Sequence, residues 1–347
     1  MKNKAYKVMV LCDPEEEYAQ MMSEYLKKRK NLPWKLHTYT DVEELFKGEQ
    51  EGVEMLVVAE SAFCQSMQSL SPKRLIVLNE SGIMKWEDVI YVDKYQEAGE
   101  VLKQLLGFYM EVADVQLPMM RRDRKTVFIG TYTPVRRCMQ TSFAVTMSML
   151  LAKEHSTLYL NFEHYAGIGE LLPDMQTQDL ADLLYFLNAQ KDKFRLRLQT
   201  MLKHEGSLAF IPPMKSGQNL LSITEGEWLG LLQKIEEMEE YEYVVLDLGE
   251  SMQGLFEILR LCKRIYTLTK DDRTAQGKLR QYEQVLGLYG YGDILDRTKR
   301  LSLSHIRSLP EEMGLLTKGD LAEVVKGLLE DLEADEGKEE NEWSMGN

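Results

Sequence analysis

Lys125 to Glu163 reads KTVFIGTYTPVRRCMQTSFAVTMSMLLAKEHSTLYLNFE. An apolar strand, Val127 to Ile129, ends at Gly130, a loop follows, Thr141-Ser142 opens an apolar helix, and a second strand runs from Thr157 to Asn161. Strand, loop, helix and strand in that order is the layout of a phosphate-binding loop. Such a loop works because glycine-rich backbone turns its N–H groups toward phosphate oxygens, a lysine bridges the outer phosphates and a Ser/Thr hydroxyl holds magnesium. Here Gln140 stands where the lysine belongs, and Val135, Arg136, Arg137, Cys138 and Met139 fill positions where the motif has glycines. Backbone access to phosphate is therefore expected to be poorer, while Arg136 and Arg137 supply guanidinium donors in place of the missing lysine.

Working outward, the 347 residues suffice for two domains, each with its own core. Apolar residues make up 44% and charged residues 28%, an ordinary balance for a soluble protein, and the net charge of -14 excludes general nucleic-acid binding and attraction to anionic membranes. Cys12, Cys64, Cys138 and Cys262 are scattered without metal-ligand spacing, as expected of packed thiols in a reducing cytosol. The opening MKNKAYKVMVLCDPEEE reaches charge after a short apolar run, which reads as a buried strand rather than a secretory signal. No stretch approaches the roughly 20 apolar residues that span a bilayer. The expected location is the cytoplasm, with no membrane insertion.

Residues 6 to 112 alternate strands and helices. Strands are predicted at Tyr6 to Cys12, Lys35 to Tyr39, Met55 to Val58, Leu75 to Leu78 and Val89 to Val92, with helices at Glu15 to Arg29 and Glu97 to Glu111. This is the pattern of a doubly wound parallel sheet. In order and spacing the half resembles a response-regulator receiver domain: Asp13 matches one member of the acidic pair after the first strand, and Lys94 in YVDKYQ matches the lysine after the fifth. The phospho-acceptor position falls at Ala59, and Asn79 replaces the Ser/Thr after the fourth strand, so no phosphorylation site is expected. Glu60, beside the acceptor position, reads as a solvated strand-end glutamate rather than a charged mimic of the acceptor. An atypical receiver implies a docking surface. Val101, Leu102, Leu105, Leu106, Tyr109 and Met110 form a stripe on the last helix, read as its core face rather than a dimer contact.

After a basic linker at 118–125, which includes MMRRDRK, strands recur at Ser207 to Met214, Tyr243 to Leu248 and Leu261 to Thr269. The strand-loop-helix ending in Gln140-Thr141-Ser142, the strands TLYLNFE and SLAFIPPM, and YVVLDLGES occur in the order found in the MinD/ParA deviant-Walker ATPases. The chain resembles that group, and in particular its TadZ/CpaE branch, in which an atypical receiver precedes the ATPase. The fold implied is α/β, two doubly wound parallel-sheet domains: 1–117 receiver-like, 126–333 a degenerate MinD-like P-loop NTPase fold, then an acidic disordered tail at 334–347.

The resemblance makes Gly130, Arg136, Arg137, Gln140, Thr141, Ser142 and Asp247 the candidate nucleotide contacts, with Thr141 and Asp247 holding Mg if ATP binds. Val135 replaces the family's signature lysine, and Asn161 with Glu163 stands in for its strand-end acidic pair. Replacing a lysine cation by the Gln140 amide removes transition-state charge stabilisation, which implies a pseudo-ATPase with no catalytic residue. The implied role is a cytoplasmic positioning scaffold for Tad/Flp pilus or secretion machinery, working through protein partners and a homodimer. A slow MinD/ParA-type ATPase switch and a nucleotide-independent partner-binding module are the alternatives.

His37, His155, His164, His204 and His305 lack metal-ligand spacing. Met21, Met22, Met147 and Met149 read as gap-filling core residues. Asp320 to Leu332 carries an apolar stripe on an acidic helix, unlike the basic membrane-surface helix that ends MinD proteins, and is expected to pack on its own domain.

Overall fold

The computed structural model describes residues 7–28, 32, 34–49, 52–87, 89–112, 126–168, 178–187, 191–306, 308–310 and 313–345. The linker at 118–125 lies outside them. The chain divides into two compact units, Met1–Met119 with Gln190–Thr200, and Met120–Ala189 with Met201–Asn347. Both are α/β units built on parallel sheets.

The first unit holds β1 (Val8–Cys12), β2 (Lys35–Tyr39), β3 (Val53–Ala59), β4 (Arg74–Asn79) and β5 (Ile90–Asp93) in the order β2-β1-β3-β4-β5, every pairing parallel. Helices α1 (Glu16–Lys28) and α2 (Val42–Gly48) connect the first three strands, and α3 (Ala98–Val112) follows the last. Side chains alternate across a strand, so an unbroken apolar strand must be covered on both faces. Met9, Leu11, Met55, Val57, Ile76 and Leu78 point to the face covered by α1 and α3. Val10, Cys12, Leu56, Val58 and Val77 point to the opposite face, which Leu45 of α2 joins. Val101, Leu102, Leu105, Leu106 and Tyr109 lie buried on α3, as its stripe predicts for a core face. Met22 is buried, but Met21 is 56% exposed, because consecutive helix positions sit about 100° apart and only one faces the sheet.

The second unit begins with β6 (Val127–Thr131), α4 (Gln140–Leu151), β7 (Thr157–Phe162) and α5 (Leu180–Leu184); α6 (Lys191–Met201) follows in the chain but belongs to the first unit as far as Thr200. Next come β8 (Lys203–Glu205), β9 (Leu208–Phe210), α7 (Gly217–Ser222), α8 (Glu225–Met238) and β10 (Tyr243–Leu248). They are followed by α9 (Leu255–Leu261), β11 (Arg264–Thr269), α10 (Arg273–Leu288), α11 (Asp293–Asp296), β12 (Thr298–Ser302) and α12 (Asp320–Met345). The sheet runs β12-β11-β6-β10-β7-β9-β8, with β8 alone antiparallel among its described pairings. One face carries α4, buried nearly all round, with Leu321, Val325, Leu328 and Leu332 of α12 in the same cluster.

Three elements depart from the sequence pattern. SLAFIPPM forms a strand only at Leu208–Phe210, since Pro212 and Pro213 have no N–H to extend a ladder. Leu261 closes α9, and β11 begins at Arg264. Helix α12 continues to Met345, past the 334 boundary where a disordered tail is expected; the added stretch holds four glutamates and no proline, and so is compatible with helix.

Candidate functional site

In the second sheet, β6 leads through α4 to β7 on one side, while β10 leads through α9 to β11 on the other. The strand order therefore reverses between β6 and β10, and an open α/β sheet binds ligands outside the carboxyl ends of its strands at that reversal. Asp247 of β10 sits there, in register with Thr131 of β6 and Asn161 of β7.

Asp247 is fully buried, and every donor bonded to it is neutral. Its Oδ1 accepts from Gln140 Nε2 (2.6 Å) and Thr131 Oγ1 (3.3 Å); its Oδ2 accepts from Asn161 Nδ2 (2.9 Å) and the Tyr159 hydroxyl (3.0 Å). Burial pushes the carboxyl above its ordinary range, against the hydrogen bonds from Gln140, Thr141, Tyr159 and Thr131 that favour the charged form. Glu163, just beyond β7, is pushed up to about 7, first by burial and then by the charge of Asp247. Gln140 links the two acids: its Nε2 also faces Glu163 Oε1 at 3.3 Å and the Leu248 carbonyl at 3.0 Å. The amide thus donates to both carboxylates from the first turn of α4.

The loop before α4 bends through left-handed backbone at Arg136 (φ 62°), Arg137 (φ 49°) and Met139 (φ 63°). Glycine adopts this conformation freely, whereas a side chain there costs about 1–2 kcal/mol per residue. The loop thus takes a glycine-like path through residues that carry side chains, which refines the expectation drawn from composition alone. Arg136 pairs with Glu250 at 2.5 Å on the surface, and Arg137 is exposed. Thr133 anchors the loop by donating to the Leu268 carbonyl, and its Oγ1 accepts from the Val135 N–H at 3.1 Å. Val135 packs against the core.

Gly130 lies inside β6 rather than at its end, because the strand continues to Thr131. A β-carbon there would stand 2.9 Å from Cys262 Sγ and 3.5 Å from Leu259 Cδ2, so its small size admits α9 against the sheet. Thr141 and Ser142 are half-buried in the first turn of α4. The site thus brings together Gln140, Thr141 and Asp247; Arg136 and Arg137 lie on the loop, and Gly130 is within the strand. Tyr159 and Thr131 were not singled out by motif, although the two-residue spacing of Tyr159, Asn161 and Glu163 places all three on one face of β7.

The hard oxygens of Thr141 and Asp247, with Glu163 nearby, are of the chemical type that holds Mg, which would supply Asp247 with a positive charge that its neutral donors do not. Phosphate is less well served. Gln140 offers a neutral amide rather than a cation, and the adjoining carboxylates repel an anion. Among the described residues, no group of three or more His, Cys, Asp or Glu is arranged to hold a metal ion, and no helix is long and apolar enough to cross a membrane.

A second polar cluster lies at the carboxyl end of the first sheet. Lys94, 1% exposed, stands 2.9 Å from Asp13, 3.0 Å from Glu15 and 2.7 Å from Glu80. The three carboxylates hold its ammonium above the ordinary lysine range despite burial. Glu60 is buried beneath four donors, contrary to the solvated residue expected, because the chain after β4 folds over it. Ala59, at the end of β3, is fully buried and offers no carboxylate.

No family model and no curated protein matches the chain. Solved structures similar to it include a ParA family ATPase from Chlorobium tepidum, 19% identical with a TM-score of 0.43, covering 55% of this chain and 80% of the other. The MinD cell division protein of Aquifex aeolicus is 15% identical with a TM-score of 0.40, covering 51% and 68%. A putative plasmid partition protein from Borrelia burgdorferi, bound to AMPPNP, is 13% identical with a TM-score of 0.46, covering 61% and 100%.

Proposed function

We propose that the protein is a positioning scaffold with a MinD/ParA-like second unit that binds ATP with Mg and does not hydrolyse it efficiently. The observation that carries this reading is the Gln140 amide, held 2.6 Å from Asp247 and 3.3 Å from Glu163 where a catalytic cation would stand. Phosphoryl transfer depends on positive charge opposite the transferring group. A neutral amide supplies little, and Arg136 is engaged by Glu250. Thr141 and Asp247 would hold Mg, and Ser142 and Arg137 would offer donors to the phosphates.

The finer reading is a TadZ/CpaE-like protein that localises Tad/Flp pilus or secretion machinery as a cytoplasmic homodimer, its first unit an atypical receiver. The order β2-β1-β3-β4-β5 and the placement of Asp13 and Lys94 support that assignment.

Calorimetric titration with ATP and Mg, beside a steady-state hydrolysis assay, tests the core proposal. Binding without turnover is expected, and turnover at rates typical of intact ParA-type ATPases would overturn it. For the finer reading, deleting the gene should delocalise a fluorescently tagged pilus secretion ATPase; unchanged localisation would count against it.

A further inference from the structure

In the first unit, the chain segments following β3 and β4 grip each other in both directions. Glu60, directly after β3, accepts from the backbone N–H groups of Glu80 and Ser81 at 2.8 Å each and from the Ser81 hydroxyl at 2.7 Å. Lys85 Nζ lies 2.5 Å from the same carboxylate. Glu80, directly after β4, returns the contact by accepting from the Ser61 N–H at 3.0 Å and hydroxyl at 3.3 Å. Its other partner is Lys94, which also holds Asp13 and Glu15 after β1.

This arrangement is costly to undo. The Glu60 side chain is only 3% exposed, so losing its donors would leave a carboxylate with little water to replace them. The bonds from Lys85 and then Ser81 hold its carboxyl down to about 2, so it stays charged through the physiological range. Meanwhile the loop it grips turns Ile83 (61% exposed) and Met84 (74% exposed) outward, with Gly82 at φ 74° bending the chain between them and Ser81.

We propose that Glu60 is a permanent clamp that holds residues 80–85 in one conformation without any covalent modification. A switchable loop needs a group whose charge or bonding changes. Here the neighbouring strand-end position is Ala59, and the charge is built into the next residue instead. This proposal concerns the first unit alone and stands apart from nucleotide binding in the second.

Hydrogen–deuterium exchange on the full chain tests it, comparing wild type with Glu60→Ala and Glu60→Gln. Wild-type amides at 80 and 81 should be protected, and Glu60→Ala should accelerate exchange across 80–85 by roughly 10- to 100-fold while β1 and β3 keep their protection. Glu60→Gln retains a carbonyl acceptor but loses the charge facing Lys85, so its exchange should fall between the two. Acetyl phosphate should change neither the mass nor the exchange of the wild type. The proposal is overturned if wild-type 80 and 81 exchange like unstructured chain, or if acetyl phosphate alters the loop. Should Glu60→Ala unfold the unit, a folded Glu60→Gln with unchanged loop exchange would overturn it as well.

Discussion

Gln140 donates its side-chain amide to Asp247 across 2.6 Å, joining residues 107 positions apart in the chain. The amide supplies a dipole where two carboxylates, Asp247 and Glu163, would favour a full positive charge. Burial pushes both acids above their ordinary ranges, and at Asp247 the Gln140 hydrogen bond works against that shift.

Replacing the acceptor should expose how much the site depends on it. Asp247→Ala leaves the donors of Thr131, Gln140, Tyr159 and Asn161 without their shared acceptor. The expected loss is about 2–4 kcal/mol, read as a lower urea midpoint at unchanged slope. Gln140→Lys should act oppositely, raising both the midpoint and ATP affinity, since it places a cation beside buried Asp247 and half-buried Glu163. A Gln140→Lys protein less stable than wild type at pH 8 would show that the acids do not act on that position.

Glu163 sets a pH dependence whose sign follows from its raised value. From 4.5 to about 7 the folded chain binds this proton and the unfolded chain releases it. The contribution of this group is therefore most favourable below pH 4.5 and is lost as pH rises through about 7. Glu163→Gln should melt higher than wild type at pH 8, with the advantage shrinking by pH 5. Thermal midpoints at the two pH values check this, and an advantage confined to pH 5 would reverse the sign and refute it.

At Gly130 the prediction separates packing from phosphate contact. Gly130→Ala forces a β-carbon to within 2.9 Å of Cys262 Sγ and should destabilise the second unit by about 1–3 kcal/mol. Cys262→Ala in the same chain should recover part of that loss, a coupling that a double-mutant cycle measures. Additive effects would mean the two residues do not meet.

Leu196 of α6 is fully buried in the cluster that contains Trp34, Leu105 and Tyr109. Truncating it to alanine should cost the first unit about 2–5 kcal/mol, the usual range for an emptied core leucine. Amides of β1 and β3 should then exchange faster. The same placement bears on fragments: a chain ending at Met119 lacks Gln190–Thr200 and should be less stable than the intact unit.

Much of the fold was legible because the inner strands are unbroken apolar runs. VMVLC, VEMLVVA and YVVLDL announce strands covered on both faces. Edge elements were harder to see. β8 is Lys-His-Glu and β12 is TKRLS, and neither has an apolar face that periodicity detects. Helix α6 alternates basic with apolar residues over Lys193 to Leu198, a period of two rather than 3.6, and so gives no local sign that Leu196 belongs to the first unit's core.

The same division holds at the site. By itself the sequence determined that residue 140, at the start of the helix after the first strand of the second unit, is an amide-bearing glutamine rather than a lysine, that Ala59 has no carboxylate, and that alternating strands and helices must build α/β units. These properties reside in side-chain identity and local period. Only the tertiary structure decided that Gln140 bridges Asp247 and Glu163, that Gly130 serves packing against Cys262, and that Glu60 is buried rather than solvated. Each of those outcomes depends on which strand lies beside which. The order of strands is set by non-local burial and pairing, which no window along the chain contains.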